Sequence, residues 1–272
     1  MHLTEQTQSI IQLVWSRMLK LADDRIESAP AGSRIEAGKD GAGALMLVRL
    51  FDRTVLYGPP ELLARARGLP DAQLVQESTL LDVARQHDVS ARSLGQAELL
   101  YGDQASYTVL APLHPEGTVV SHESEHLDAL LTHSPADDVA LSGLREAEWA
   151  ATLVTEQHGQ PGVHRGTSAE AEGQSGNDAA AAGFSGHLPL AGAGWEVWHH
   201  MLGHIGVLTH PQHRMRGYAA SIASVAVQEA LDAGLIPQWR AALSSPGSAR
   251  LARSLSFVPA GSQTTVVLSP EQ

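Results

Sequence analysis

The stretch Gly206-Val207-Leu208-Thr209-His210-Pro211-Gln212-His213-Arg214-Met215-Arg216-Gly217-Tyr218-Ala219 decides how this chain is read. An apolar, strand-like run passes through a turn and becomes a helix. The first turn of a helix leaves about four backbone N–H groups without intrahelical partners, and the aligned peptide dipoles place partial positive charge there. Arg214 and Arg216 stand beside those amides, so the corner suits an anion, and phosphates bind such places readily.

Around this corner the pattern is regular. Residues 179–184, 190–198 and 202–208 read as strands, the first two joined by Ser185-Gly186-His187. Residues 219–233 read as an Ala-rich helix with Ile222, Val225, Ala226 and Leu231 toward the core and Gly234 as its stop. A strand at 236–243, a helix from Ser245-Pro246 through Leu255, and one or two strands in 257–268 follow. Upstream, residues 139–141 read as a strand and 142–158 as a helix capped by Ser142. Residues 159–178, mostly Gly, Ser, Glu, Gln and Thr, read as a mobile loop or a substrate-facing flap.

This order, with Pro211-x-x-Arg214-x-x-Gly217-x-Ala219 after the central strand, resembles the GNAT superfamily of N-acetyltransferases over residues 136–268. Arg214, Gly217 and Ala219 fill the places of the superfamily signature: Gln or Arg, two residues, Gly, one residue, Gly or Ala. Small residues let the backbone approach a pyrophosphate closely. Ser245-Pro246-Gly247-Ser248 and the later Ser254-Leu255-Ser256-Phe257 are similar to the superfamily's final helix and its ending, and Gln238 to Leu243 lie where its fifth strand belongs. Trp195-Glu196-Val197-Trp198 ahead of Val207-Leu208-Thr209 resembles one bacterial branch of the same superfamily.

The resemblance implies an α/β fold: a mixed, mostly antiparallel sheet with flanking helices. It also implies an acyl-CoA-dependent N-acyltransferase, using acetyl-CoA as co-substrate and a small-molecule or peptide amine as acceptor. Backbone near Val207, Leu208 and Thr209 would meet the pantetheine and thioester. Amides of Met215, Arg216, Gly217, Tyr218 and Ala219, with the Arg214 and Arg216 side chains, would hold the pyrophosphate, and Ser245 and Ser248 would meet the coenzyme from the later helix. Read without the resemblance, Arg214 and Arg216 are solvated charges and Tyr218 is a packing residue.

An amine acceptor must lose a proton, since a lysine-like ammonium has a pKa of about 10.4. His204, early on the central strand, and Glu196, on the preceding strand, are the candidate bases; a water relay is the alternative. Ala252 stands where many relatives carry a tyrosine that protonates the departing thiolate, which leaves that proton to water. Ser245 and Ser256 also depart from the commoner Asn and Gly. The rival reading from another class is a catalytically degenerate CoA-binding sensor or interaction protein. A nucleoside triphosphate site is disfavoured, because no Gly-x-x-x-x-Gly-Lys-Ser/Thr sequence occurs.

The N-terminal half reads as a smaller α/β domain, residues 1–134, of unknown role, with a degenerate copy of the same fold as one option; the boundary is Ser134-Pro135-Ala136-Asp137-Asp138, and the GNAT-like domain is 135–272. Residues 4–21 read as an amphipathic helix, 28–43 as a surface loop, and 44–57 as two strands around Phe51-Asp52-Arg53. Helices at 60–67, 76–87 and 121–134 and strands at 97–101 and 106–110 complete that half.

A net charge of −12 argues against non-specific nucleic-acid binding and mildly favours cationic partners. The chain has no cysteine, so it has no disulfide framework or thiolate site. His199, His200, His204, His210 and His213 cluster in sequence. Placed on one strand face, His200 and His204 would stand about 13 Å apart, too far for bonds of about 2.0–2.1 Å to one ion, so no metal is expected. No apolar run suits a membrane span or a signal peptide, and a cytoplasmic location is expected. The C-terminal strand is read as an exposed edge through which a homodimer could form.

Overall fold

The computed structural model describes residues 2–105, 115–156 and 187–269. Its helices are α1 (Glu5–Met18), α2 (Pro60–Ala66), α3 (Asp71–Leu74), α4 (Glu77–Arg85), α5 (Ser124–Thr132), α6 (Ala136–Ser142), α7 (Tyr218–Asp232) and α8 (Pro246–Ser254). Its strands are β1 (Arg34–Gly38), β2 (Ala44–Leu50), β3 (Arg53–Gly58), β4 (Ala91–Tyr101), β5 (Thr118–Ser121), β6 (Trp149–Thr155), β7 (Pro189–Trp198), β8 (Leu202–Thr209), β9 (Ile236–Ala242) and β10 (Val258–Leu268). The chain divides into two compact units, Met1–Leu110 with Trp195–Gly206 and Val227–Gln272, and Ala111–Gly194 with Val207–Ala226. The division falls inside β7, β8 and α7.

In the first unit the strand order is β1-β3-β2-β10-β4-β9-β8. Pairing is antiparallel except for β1–β3 and β8–β9, which are parallel. Alternate residues of β2 serve opposite faces, as a pleated strand requires. Val48 and Leu50 join Ile11, Val14 and Trp15 of α1 in one core, while Leu45 and Leu47 join Leu62, Leu74 and Leu80 of α2 to α4 in the other. The start of α1 is set by Thr4, whose hydroxyl accepts the Thr7 N–H.

The second unit pairs β5 with β6 antiparallel, in the order β7-β6-β5. Leu130 and Leu131 of α5, Val139 of α6, Leu144 and Leu208 form its core.

The expected α/β class with a largely antiparallel sheet and flanking helices is what the structure has. Several elements differ from their sequence reading. Residues 139–141 are the end of α6 rather than a strand, with Pro135 ahead of the helix and Asp137 and Asp138 in its first turn facing the dipole. Ser142 closes α6 instead of capping a new helix, Gly143 follows with φ +64°, and Trp149–Thr155 is strand. The run Ala151-Thr152-Leu153-Val154 is buried on both faces, so its pattern is a continuous apolar block that mimics a buried helix.

The segment 28–43 is not all loop, since Ile35 and Ala37 of β1 are buried in alternation while Arg34 and Glu36 form ion pairs with Asp71 and Arg67. β4 starts at Ala91, and α5 starts at Ser124 because Thr118–Ser121 is already strand β5. Ser134-Pro135 lies inside the second unit, and the two units divide elsewhere. β10 is no free edge, since β2 and β4 pair with it on either side. The strands read at 106–110 and 179–184 and the loop at 159–178 lie outside the described residues. Among the described residues no helix is long and apolar enough to cross a membrane.

Candidate functional site

From Val207 onward the quoted corner lies in the second unit. Leu208 anchors the end of β8 in that unit's core, while Val207 and Thr209 are half-buried. The His210 N–H donates to the Leu190 carbonyl (2.9 Å), and a single 3-10 turn, Pro211–His213, follows. The chain then extends at Arg214, turns left-handed at Met215 (φ +62°) and Gly217 (φ +83°), and enters α7. The Ser221 N–H reaches back to the Gly217 carbonyl (3.1 Å), so amides ahead of it have no intrahelical acceptor.

Among the described residues no side chain plugs this corner. Met215 is 99% exposed, and a Cβ placed on Gly217 would meet nothing within 4 Å. The glycine is required by its left-handed φ, with open space beyond it. Arg214 is partly engaged, its Nη2 donating to Asp138 Oδ2 at 2.6 Å, and Arg216 is exposed. His210 and His213 are held below the usual imidazole range, first by burial and then by neighbouring positive groups, among them Arg214 for His210 and Arg216 for His213.

The two candidate bases lie in the first unit, and Trp198 joins them. Its Nε1 donates to Glu196 Oε2 (3.0 Å), and its ring stacks on His204 with centroids 4.4 Å apart. His204 is registered opposite Gln238 of β9, and Gln238 opposite Tyr101 of β4. One row of polar side chains therefore crosses three strands. Tyr101 Oη accepts from Trp15 Nε1 (2.6 Å) and from Gln238 Nε2 (2.9 Å). Burial pushes the Tyr101 hydroxyl well above its usual range.

Burial, and secondarily the charge of Arg240, pushes His204 down to about 4. Its Nδ1, the Gln238 Oε1 and the Arg240 Nε are all sealed from solvent without a hydrogen-bond partner among the described residues. The parallel β8–β9 register runs from Leu202↔Ile236 to His204↔Gln238.

His199 and His200 occupy the turn between β7 and β8, with φ of +48° and +63°, so His200 does not share a strand face with His204 as expected. Among the described residues no three His, Asp or Glu side chains gather as metal ligands would.

Ser245 and Ser248 are in the first unit. Ser248 Oγ accepts from Trp239 Nε1 (2.9 Å), while Ser245, exposed, precedes α8 and makes no side-chain cap bond. Ala252 is fully buried.

Gln238, Arg240 and Tyr101 are given only a strand position by the sequence, with no role in the site. A signal was present: Gln238 and Arg240 are polar at alternate positions of an otherwise apolar strand, which aims both at one face.

A mixed α/β protein whose parallel strand pair is linked through a helix with an open, left-handed N-terminal corner is the class this geometry defines. Residues 191–265, from within β7 into β10, match the family model described as GNAT acetyltransferase. No curated protein matches the chain. Similar solved structures include a GCN5-related N-acetyltransferase-like protein from Streptococcus suis 89/1591, at 15% identity over 98% of this chain and 100% of that one, TM-score 0.49. A GCN5-related N-acetyltransferase from Kribbella flavida has 16% identity over 97% and 96%, TM-score 0.48. A GNAT-family acetyltransferase from Colwellia psychrerythraea has 13% identity over 79% and 76%, TM-score 0.39.

Proposed function

We propose that this protein is an acyl-CoA-dependent N-acyltransferase that moves acetyl from acetyl-CoA to a primary amine by direct attack. The GNAT acetyltransferase match over residues 191–265 carries the reading, because it spans the 206–219 corner and supports acyl transfer.

In the second unit, the diphosphate of the coenzyme rests on the amides of Met215 to Ala219, with Arg214 and Arg216 as counter-charges. Gly217 can hold its backbone there because its φ is positive and nothing crowds it. Amides near Val207, Leu208 and Thr209 serve the pantetheine and thioester. In the first unit, Ser245 and Ser248 are the coenzyme contacts expected of α8. Ser248 supplies a hydroxyl whose orientation is fixed by Trp239.

The amine nitrogen attacks the thioester carbonyl carbon, the C–N bond forms, the C–S bond breaks, and the thiolate takes a proton from water, since Ala252 offers none. Holding thioester and amine together removes much of the entropic barrier. His204 is neutral at pH 7 and Glu196 is oriented by Trp198; either accepts the proton the amine must lose. An imidazole near pKa 4 is a weak acceptor for an ammonium proton near 10.4, so His204 needs its surroundings changed by the bound acceptor before it can work well.

Calorimetry with acetyl-CoA tests the reading, followed by thiol release with a panel of amines. Acetyl-CoA binding that Gly217→Glu weakens at least tenfold, with amine-dependent thiol release, is the expected result. Binding without release would make the chain a coenzyme sensor, and no binding would end the coenzyme reading altogether.

A further inference from the structure

Arg240 is a charge of the first unit that no described residue pairs. It stands in β9 between Trp239 and Ala241, both buried, and is itself half-buried with its Nε sealed from solvent. A guanidinium carries five N–H donors in a planar fork, and burying it unpaired is costly. Arg34, Arg67 and Arg253, nearer the surface, each hold a carboxylate at 2.5–2.8 Å. Arg240 has no ion pair or hydrogen bond to a described residue, and its Nε is sealed without an acceptor.

Its neighbours share that condition. Gln238 lies two residues away on the same face of β9, and His204 is registered beside Gln238 on β8. Gln238 uses one end of its amide on Tyr101 and leaves Oε1 buried without a partner, and His204 Nδ1 is likewise buried and unpaired. His204 is close enough to feel the Arg240 charge. One fixed cation, one amide oxygen and one neutral ring nitrogen thus lie on one face of β8 and β9, each with an atom that no described residue satisfies.

We propose that Arg240 receives a carboxylate of the acceptor, so that the amine acetylated by this protein belongs to the amino-acid class, with Gln238 and His204 toward its nitrogen. This rests on the acyltransferase reading and adds the acceptor's chemistry to it. A guanidinium fork matches a planar carboxylate in a bidentate manner. A phosphate of higher charge would call for further cations, and His204 is neutral. The chain's charge of −12 repels anions, but a zwitterion with no net charge avoids that penalty.

The test compares glycine, alanine, leucine and phenylalanine with their α-carboxamides, which keep the amine and remove the carboxylate charge. Thermal stabilisation and calorimetry without coenzyme read acceptor binding directly, and thiol release with acetyl-CoA reads turnover. At least one acid should bind about ten- to hundredfold tighter than its amide, the range of a charge-assisted hydrogen bond pair. Arg240→Gln should erase that preference, and Arg240→Lys should restore part of it. Acids and amides that bind alike, no binding of either, or a preference that survives Arg240→Gln would overturn the proposal. A carboxylate preference in binding without thiol release would leave Arg240 standing and remove the acyltransferase reading, which separates the two failures.

Discussion

The indole of Trp198 lies on the imidazole of His204, ring centroids 4.4 Å apart and planes 21° from parallel. That lid, with Gln238 and Arg240 nearby, helps shield the imidazole, whose Nδ1 is sealed from solvent, and burial lowers its pKa. The folded pKa of about 4 lies below the unfolded value near 6.5, so the unfolded chain binds the extra proton first. This contribution to stability is fully present above about pH 6.5, falls as pH drops, and is gone below about 4. Its size is on the order of 3 kcal/mol. Trp198→Leu should raise the His204 pKa and flatten that part of the stability profile, read by imidazole NMR and urea melts at several pH values. An unmoved pKa would show that the indole does not seal the ring. Arg240→Gln should also raise it, by less, because burial is the larger cause.

Gly217→Ala isolates the backbone contribution. Its Cβ meets nothing, so the cost is that of holding a side chain at φ +83°, about 1–2 kcal/mol, with acetyl-CoA affinity reduced only mildly. Gly217→Glu adds a carboxylate beside the diphosphate and should weaken binding at least tenfold beyond the alanine variant. Equal affinities in the two variants would show that no anion lies there.

Gly261 is needed for a different reason. Built on its backbone, a Cβ would stand 1.9 Å from the Arg49 carbonyl oxygen, an atom of β2 that cannot move without breaking the β10–β2 ladder. Gly261→Ala should destabilise the first unit by about 3 kcal/mol. A melt within a degree or two of the parent would refute that close approach.

The turn at His199-His200 has left-handed torsions at both central positions, the type that prefers Asn-Gly. Replacing the pair with Asn-Gly should stabilise by about 0.5–1 kcal/mol in thermal or urea unfolding, provided neither histidine has another role. Destabilisation would assign them one.

Much of this was written locally. The 3-4 spacing in α1, the Pro openings of α2 and α8, and the Gly234 stop after α7 each depend on neighbours in sequence, and so does the glycine corner at 214–219. What was hidden depends on partners far along the chain. β10 slips between β2 and β4, more than 150 residues away, a choice no local pattern records. β6 is buried on both faces, which removes the alternation that marks a strand, and β1 is short and sits among Gly and charged residues. The corner residues were legible because their chemistry is backbone chemistry. Arg240 was not, because an arginine in a strand becomes a candidate only when its burial and its missing partner are known.

The account stands on an anion resting at the entrance to α7. Titrating acetyl-CoA into isotope-labelled protein, with backbone amides followed by NMR, addresses it residue by residue. The largest shifts should fall on Met215, Arg216, Gly217, Tyr218 and Ala219, with dephosphorylated pantetheine leaving them unmoved. Saturable binding that leaves these five amides in place would contradict it.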